Sequence, residues 1–339
     1  MTPTAPSSDR PLRVLIVKTS SMGDVVHALP AISDLARRFP GTRIDWLVEQ
    51  AFAEIPGAHG RVTKVIPMAL RRWRHQLHLP STWREIAALR RELREAAYDR
   101  VLDCQGLLKS AWAARWARAP VAGPCSRSAR ERMASWLYDM KIAVDPTLHA
   151  IDRNRLLAAR AFGYEVEGAV DFGLKLPPVA TSSLSAWIPD RSFALLLTNA
   201  SRATKLWPDE KWREVEAWLA DQGLRSVLVW GSESERIDCL RRASAMRLAQ
   251  VAPSAGLMTL AAISARARVV IGLDTGLTHW AAAVGAPTVG LFCDYDPARV
   301  GLRGDALRVN LGGDGEPPSA EDVIDAARHV LAAAGARGG

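Results

Sequence analysis

Two kinds of hydrophobic pattern alternate along this chain. Short, nearly unbroken apolar runs such as Val14-Leu15-Ile16-Val17 read as strands buried on both faces. Between them apolar residues recur at helical spacing, as Ile86, Leu89 and Leu93 do among the charges of residues 83–97. In the first half the pattern predicts strands at 13–18, 43–48, 62–67 and 100–103, and helices at 24–38, 82–97, 107–117 and 151–162. Residues 171–190, with Pro177-Pro178 and three serines, carry no clear period. The alternation then restarts, with strands at 193–198, 226–230, 269–273 and 288–292 and helices at 209–222, 233–245, 257–265 and 277–284. A Gly-rich break at 312–318 precedes a last helix, 320–334, with Ser319 placed to cap its N-terminus.

Strands alternating with helices predict parallel sheets covered by helices, an α/β fold. At 339 residues the chain is too long for one ordinary core. The reading is of one kind of Rossmann-like unit built twice, the two domains facing across a cleft that would hold ligand. Its boundaries are a disordered tail at 1–12, a first domain at 13–175, a linker at 176–190 and a second domain at 191–318. The helix and tail at 319–339 are a candidate to pack back on the first domain.

Composition narrows this picture. Apolar residues make up 48% of the chain, enough for packed cores. No apolar run approaches the roughly 20 residues needed to span a bilayer. The opening MTPTAPSSDRPLR lacks the charged-then-apolar order of a secretory signal. Cys104, Cys125, Cys239 and Cys293 are scattered, which fits small buried hydrophobes in a reducing cytoplasm better than zinc ligands or disulfides. The net charge of +8 is uneven: residues 1–180 hold 27 Lys/Arg against 18 Asp/Glu, and residues 181–339 hold 17 against 18. A basic first half points to an anionic partner, or to guanidinium groups on solvated helices.

Candidate chemistry sits in loops that follow the predicted strands. In Lys18-Thr-Ser-Ser-Met-Gly-Asp24 the turn lacks dinucleotide-type glycines and ends in an acid. Asp24 is poorly suited to phosphate; it suits a helix cap or a proton acceptor, and the two roles are compatible. His27 follows on the same helix face. Asp274-Thr275-Gly276-Leu-Thr278-His279 opens a helix, where free N–H groups, Gly276 and two hydroxyls could hold a diphosphate, or Asp274 and Thr275 could merely cap. Ser201-Arg-Ala-Thr-Lys205-Leu-Trp-Pro offers a lysine to a leaving phosphate. Glu233 and Glu235 open another helix, suited to its dipole or to ribose hydroxyls. Together the three loops describe a nucleoside-diphosphate site. Arg71-Arg72-Trp73-Arg74 and Gln105-Gly-Leu-Leu-Lys109 add cations and an indole to the first half, as anion or sugar contacts or as a plain basic face.

KTSSMGDVVHALPA, RRWR, DCQGLLKSA, the lysine-Trp-Pro loop and DTGLTHWAAA together resemble the family 9 heptosyltransferases, glycosyltransferases of the GT-B architecture. The TSSMGD loop has the form seen in those that add the first inner-core heptose. The likeness runs from about residue 12 to the last helix. It implies an ADP-L-glycero-D-manno-heptose donor and a Kdo-lipid A acceptor, in lipopolysaccharide inner-core synthesis. It implies that Asp24 is the catalytic base and that Lys205 acts with it. Donor would be held by Ser201, Lys205, Glu235, Asp274, Thr275, Gly276, Thr278 and His279. Acceptor would be held by Lys18, Ser20, Ser21, Met22, Gly23, Arg71, Arg72, Arg74, Gln105 and Lys109. Relatives often carry two hydroxyl residues where this chain has Ala200-Ser201.

The expected reaction is a direct, inverting displacement needing neither metal nor cofactor, since no acid cluster with metal-ligand spacing is visible. The expected location is cytoplasmic, at the inner face of the membrane, where a basic domain would be drawn to anionic lipid. A related transferase of another sugar, or a non-catalytic ADP-heptose binder, would look alike. Nucleic acid is not an expected partner, for no recognition motif is present.

Overall fold

The computed structural model describes residues 10–176 and 192–337. The chain divides into two compact units, Met1–Lys175 and Leu176–Gly339. The expected linker lies outside the described residues apart from Leu176, as do residues 1–9 of the expected tail. The rest of that tail is anchored, which corrects the expectation of disorder to residue 12. Arg10 pairs with Asp99, and the Leu12 carbonyl accepts from Arg43 N–H at 2.7 Å.

The first unit holds β1 (Arg13–Val17), β2 (Arg43–Glu49), β3 (Val62–Met68), β4 (Arg100–Asp103), β5 (Val121–Pro124) and β6 (Met140–Ile142) in one parallel sheet, ordered β3-β2-β1-β4-β5-β6. The second holds β7 (Phe193–Leu197), β8 (Arg225–Leu228), β9 (Ala249–Val251), β10 (Val269–Leu273), β11 (Thr288–Phe292) and β12 (Arg308–Gly312), ordered β12-β11-β10-β7-β8-β9 and again parallel. Counted from each unit's own first strand, the two orders are the same. Both are the doubly wound order in which the chain reverses between the first and fourth strands, and loops beyond the strand ends at that point are where such sheets bind ligands.

Past an arginine that opens several of them, the inner strands are buried, as their apolar runs demand. β1, β7, β10 and β11 are built of residues such as Leu15, Leu196, Ile271 and Leu291 that no solvent reaches, or almost none. Trp46, Trp212 and Trp280 are among the largest side chains fully enclosed.

Two expectations about helices need correction. The single helix at 24–38 is two, Met22–Val26 and Leu29–Arg38. Pro30 stands at the start of the second, and a proline has no N–H to continue the first and clashes one turn back. The last helix, Ala320–Arg337, packs in its own unit: Val323, Ala327 and Val330 are buried in the core with Leu273, Val289 and Leu291 of β10 and β11. Ser319 does cap it, accepting from Asp322 N–H at 3.1 Å while Asp322 accepts from Ser319 N–H at 3.0 Å. Among the described residues no helix is long and apolar enough to cross a membrane.

Candidate functional site

In the first unit the loop after β1 leads into the helix Met22–Val26, and Asp24 stands in its first turn. One carboxylate oxygen accepts from Ser21 N–H at 3.0 Å and from Ser21 Oγ at 3.1 Å; the other accepts from Arg130 at 2.6 Å. Helix capping and a charge-bearing role thus coexist. Burial alone would push the carboxyl up, but Lys18 and Arg130, then the Ser21 amide, hold it well below the usual carboxylate range.

Lys18 is enclosed at the end of β1, and its ammonium donates to the Cys104 carbonyl at 2.7 Å. Burial lowers its pKa against the pull of Asp24. Gln105 is also enclosed. Its Oε1 accepts from Thr19 N–H at 3.0 Å and Ser20 N–H at 3.1 Å, which fixes the loop carrying Asp24, while its Nε2 has no partner among the described residues. Lys18, Asp24, Gln105, Ser128 and Arg130 line a cavity of about 60 Å³. Ser20, Met22 and Gly23, half-buried, and Ser21, exposed, belong to the loop and first helical turn that carry Asp24.

Asp103, at the end of β4, lies beneath this loop. It accepts from Gln105 N–H at 2.7 Å, Ser110 Oγ at 2.8 Å and Tyr138 Oη at 2.8 Å, and burial raises its pKa despite those bonds. Gly106, at φ +70°, lets the chain pass close to residues 129–130: a Cβ there would meet Arg130 N at 3.3 Å and Pro124 Cγ at 3.1 Å. Glu131 N–H donates to the Gly106 carbonyl at 3.0 Å.

The basic stretch at 71–74 divides. Trp73 is enclosed in the core, with Nε1 donating to Glu85 at 2.8 Å, so it is no platform for a sugar. Arg72 forks onto the same Glu85 at 2.6 and 3.1 Å. Arg71 is exposed and lies over the Phe52 ring at 5.3 Å; Arg74 is exposed beside His75. Lys109 is exposed on the helix Leu108–Ala114.

In the second unit the lysine loop meets the turn after β10. Lys205 donates to the Asp274 carbonyl at 2.9 Å and to its carboxylate, whose other oxygen lies 3.1 Å from His279 Nε2. Burial pushes Asp274 up, but His279 and Lys205 outweigh it and bring its pKa down to about 2. Thr275 is the N-cap of the helix Gly276–Ala283, whose first N–H groups have no acceptor within the helix. Thr278 is fully buried and spends its hydroxyl on the Leu273 carbonyl at 2.5 Å, so it shapes the turn and offers no donor to a ligand. Trp207, buried beside Trp212 with Nε1 on the Pro318 carbonyl at 3.0 Å, anchors the lysine loop. Ser201 is exposed on that loop, away from these bonds. One Glu235 oxygen takes up Gly231 N–H at 2.7 Å and Ser232 N–H at 3.2 Å as a capping box, which leaves it the other.

Three participants, Arg130, Asp294 and Tyr295, were not legible in the sequence. Arg130 is 106 residues from Asp24 and stood out only as one of a run of arginines. Tyr295 lies under Lys205 at 5.6 Å and Arg202 at 5.8 Å, and its neighbour Asp294 accepts from Thr204 and pairs with Arg202 at 3.5 Å. No loop motif marks the turn after β11 that brings them there.

The two doubly wound sheets, each with charged loops at its switch point, define a GT-B protein. The model of glycosyltransferase family 9 (heptosyltransferase) matches residues 86–323. Lipopolysaccharide heptosyltransferase 1 of Pseudomonas aeruginosa is 41% identical over 89% of this chain and 84% of its own. The solved structure of E. coli heptosyltransferase WaaC with ADP superposes with a TM-score of 0.83 at 35% identity, covering 94% of this chain and all of that one. The same enzyme with ADP-2-deoxy-2-fluoro heptose gives 0.78 at 34%, over 95% and 99%. The chain belongs to glycosyltransferase family 9, the heptosyltransferases.

Proposed function

We propose that this heptosyltransferase moves L-glycero-D-manno-heptose from ADP-heptose to the Kdo of Kdo-lipid A, the first heptose of the lipopolysaccharide inner core. The observation that carries this reading is the 35% identity across the whole of a chain solved with ADP. The acceptor would be met at the cytoplasmic face of the inner membrane, by the domain that holds the whole of the chain's positive excess.

The mechanism we favour is a single displacement with inversion. The acceptor hydroxyl attacks the anomeric carbon, Asp24 takes its proton, and ADP leaves. Asp24 is ionised throughout the physiological range, so it is ready to accept, but two cations weaken it as a base. The Kdo carboxylate offers Arg130 another partner. Transfer of that guanidinium to the acceptor would restore basicity to Asp24 at the moment of binding. On the donor side Lys205 would neutralise charge growing on the diphosphate, helped by Thr275, the Gly276 backbone and His279. Its ammonium is already aimed at the mouth of that helix by Asp274. Asp274 would exchange this pairing for contact with heptose, and Glu235 would meet the ribose with its second oxygen. No metal or cofactor is required in this scheme.

The test is the purified chain with ADP-heptose and Kdo-lipid A, following product mass and anomeric configuration with and without chelator. A β-linked donor analogue giving retained configuration, or loss of activity on chelation, would overturn the corresponding part. No product with any Kdo acceptor would overturn the whole.

A further inference from the structure

The helix Leu108–Ala114 buries Ser110, Ala111, Ala113 and Ala114 and turns Leu108, Lys109 and Trp112 outward. The turn Arg132–Leu137 buries Ala134 and Ser135 and turns Arg132, Met133 and Trp136 outward. The two segments pack on one another and share Asp103 and Glu131 as partners: Ser110 and Tyr138 both donate to Asp103, and Leu108 N–H donates to Glu131 at 2.6 Å. The two packed segments each present apolar side chains outward. Trp136 is 72% exposed, Trp112 53%, Met133 50% and Leu108 41%. Single exposed hydrophobes are ordinary, but four on adjoining turns are not.

The surface is also basic. Lys109 and Arg132 stand within it, and among the described residues neither has an acidic partner. Indoles beside free cations suit the headgroup layer of an anionic membrane, where the ring is apolar and its N–H stays wet. The position fits as well. Arg132 and Met133 stand two and three residues beyond Arg130, which holds Asp24 and lines the cavity where the acceptor is proposed to react.

From this we infer that Leu108, Trp112, Met133 and Trp136, with Lys109 and Arg132, form the surface by which the enzyme seats itself in an anionic phospholipid bilayer. The inference deepens the reading of a lipid-linked acceptor. Flotation with vesicles needs neither sugar nucleotide nor acceptor, so it can fail while that reading stands.

The full chain should float with vesicles of phosphatidylcholine and phosphatidylglycerol in equal parts, and much less with phosphatidylcholine alone. Trp112→Ser with Trp136→Ser should lower the partition at least about tenfold. Arg132→Ala should lower it about fivefold, an effect that salt abolishes. Ile237→Ser, which removes an exposed apolar residue of the second unit, should leave it unchanged. Turnover of the double variant on a soluble, deacylated acceptor should match the parent, which separates lost docking from lost folding. Absence of binding by the parent overturns the inference. So does a double variant that binds as the parent does, whether it shows instead a change from dimer to monomer or a raised KM for acylated acceptor alone.

Discussion

Each domain places a lysine in the turn after its first strand, and each lysine donates to the backbone carbonyl just beyond the fourth. Lys18 reaches Cys104 at 2.7 Å; Lys205 reaches Asp274 at 2.9 Å. The doubly wound order makes those strands neighbours, so both pairings span the same reversal point. The difference lies in what surrounds them. Lys18 is enclosed, and its charge serves a carboxylate on its own loop. Lys205 keeps 16% of its side chain open, over Tyr295, and its carboxylate partner stands at a helix entrance. The same device is enclosed in one domain and open to solvent in the other. The acids at the ends of the fourth strands differ too: burial pushes Asp103 up despite its neutral donors, while His279 and Lys205 draw Asp274 down to about 2.

The comparison is broken most directly at Asp24. Asp24→Asn should lower turnover by about 10²–10⁴-fold in product-mass assays and leave ADP affinity at its parent value in calorimetry. A loss of only a few-fold would leave the first domain without its base. Lys205→Ala should weaken ADP binding by about 10–100-fold, the worth of a charge-assisted contact, and slow turnover too. Lys18→Met should do neither by binding. It should lower the melting temperature and, with a cation removed from beside Asp24, move the acid limb of the rate profile to higher pH; an unmoved limb would make Lys18 purely structural.

Asp274 sharpens the contrast through stability. A carboxyl with its folded pKa held near 2 stabilises the fold above the ordinary carboxylate range, and the gain is lost as pH falls through that value. It should be worth on the order of 2 kcal/mol, and Asp274→Asn should flatten the acid arm of a denaturation series by that amount. Smallest is the effect expected of Arg71→Glu with Arg74→Glu: a several-fold rise in acceptor KM with ADP affinity unchanged. Arg72→Glu should differ from these by lowering stability as well, because it frees Glu85 from a forked pair.

The sequence made the inner strands plain. β4, β10 and β11 begin and end where the pattern predicts. β6 and β9 were missed because each is three residues at a sheet edge, too short to show a period. β12, Arg-Val-Asn-Leu-Gly, alternates at the other edge without a strong apolar run, and β5 closes on Gly-Pro. The loops that carry Asp24, Lys205 and Asp274 were legible because each follows a strand that was. Their partners were not. Arg130 and Tyr295 arrive from distant turns, and only the sheet order puts them there. Composition misled at Trp73, where an indole among arginines suggested exposure and packing claimed it for the core.

Gly106 carries more than its own turn. It is the missing side chain at this position that lets the backbone of residues 129–131 settle against the β4 loop. Were a methyl group to stand there, the guanidinium that follows would be levered off the carboxylate it quiets. The acidity of the first loop is thus set from the loop after β4, by a hydrogen atom where every other amino acid would put carbon.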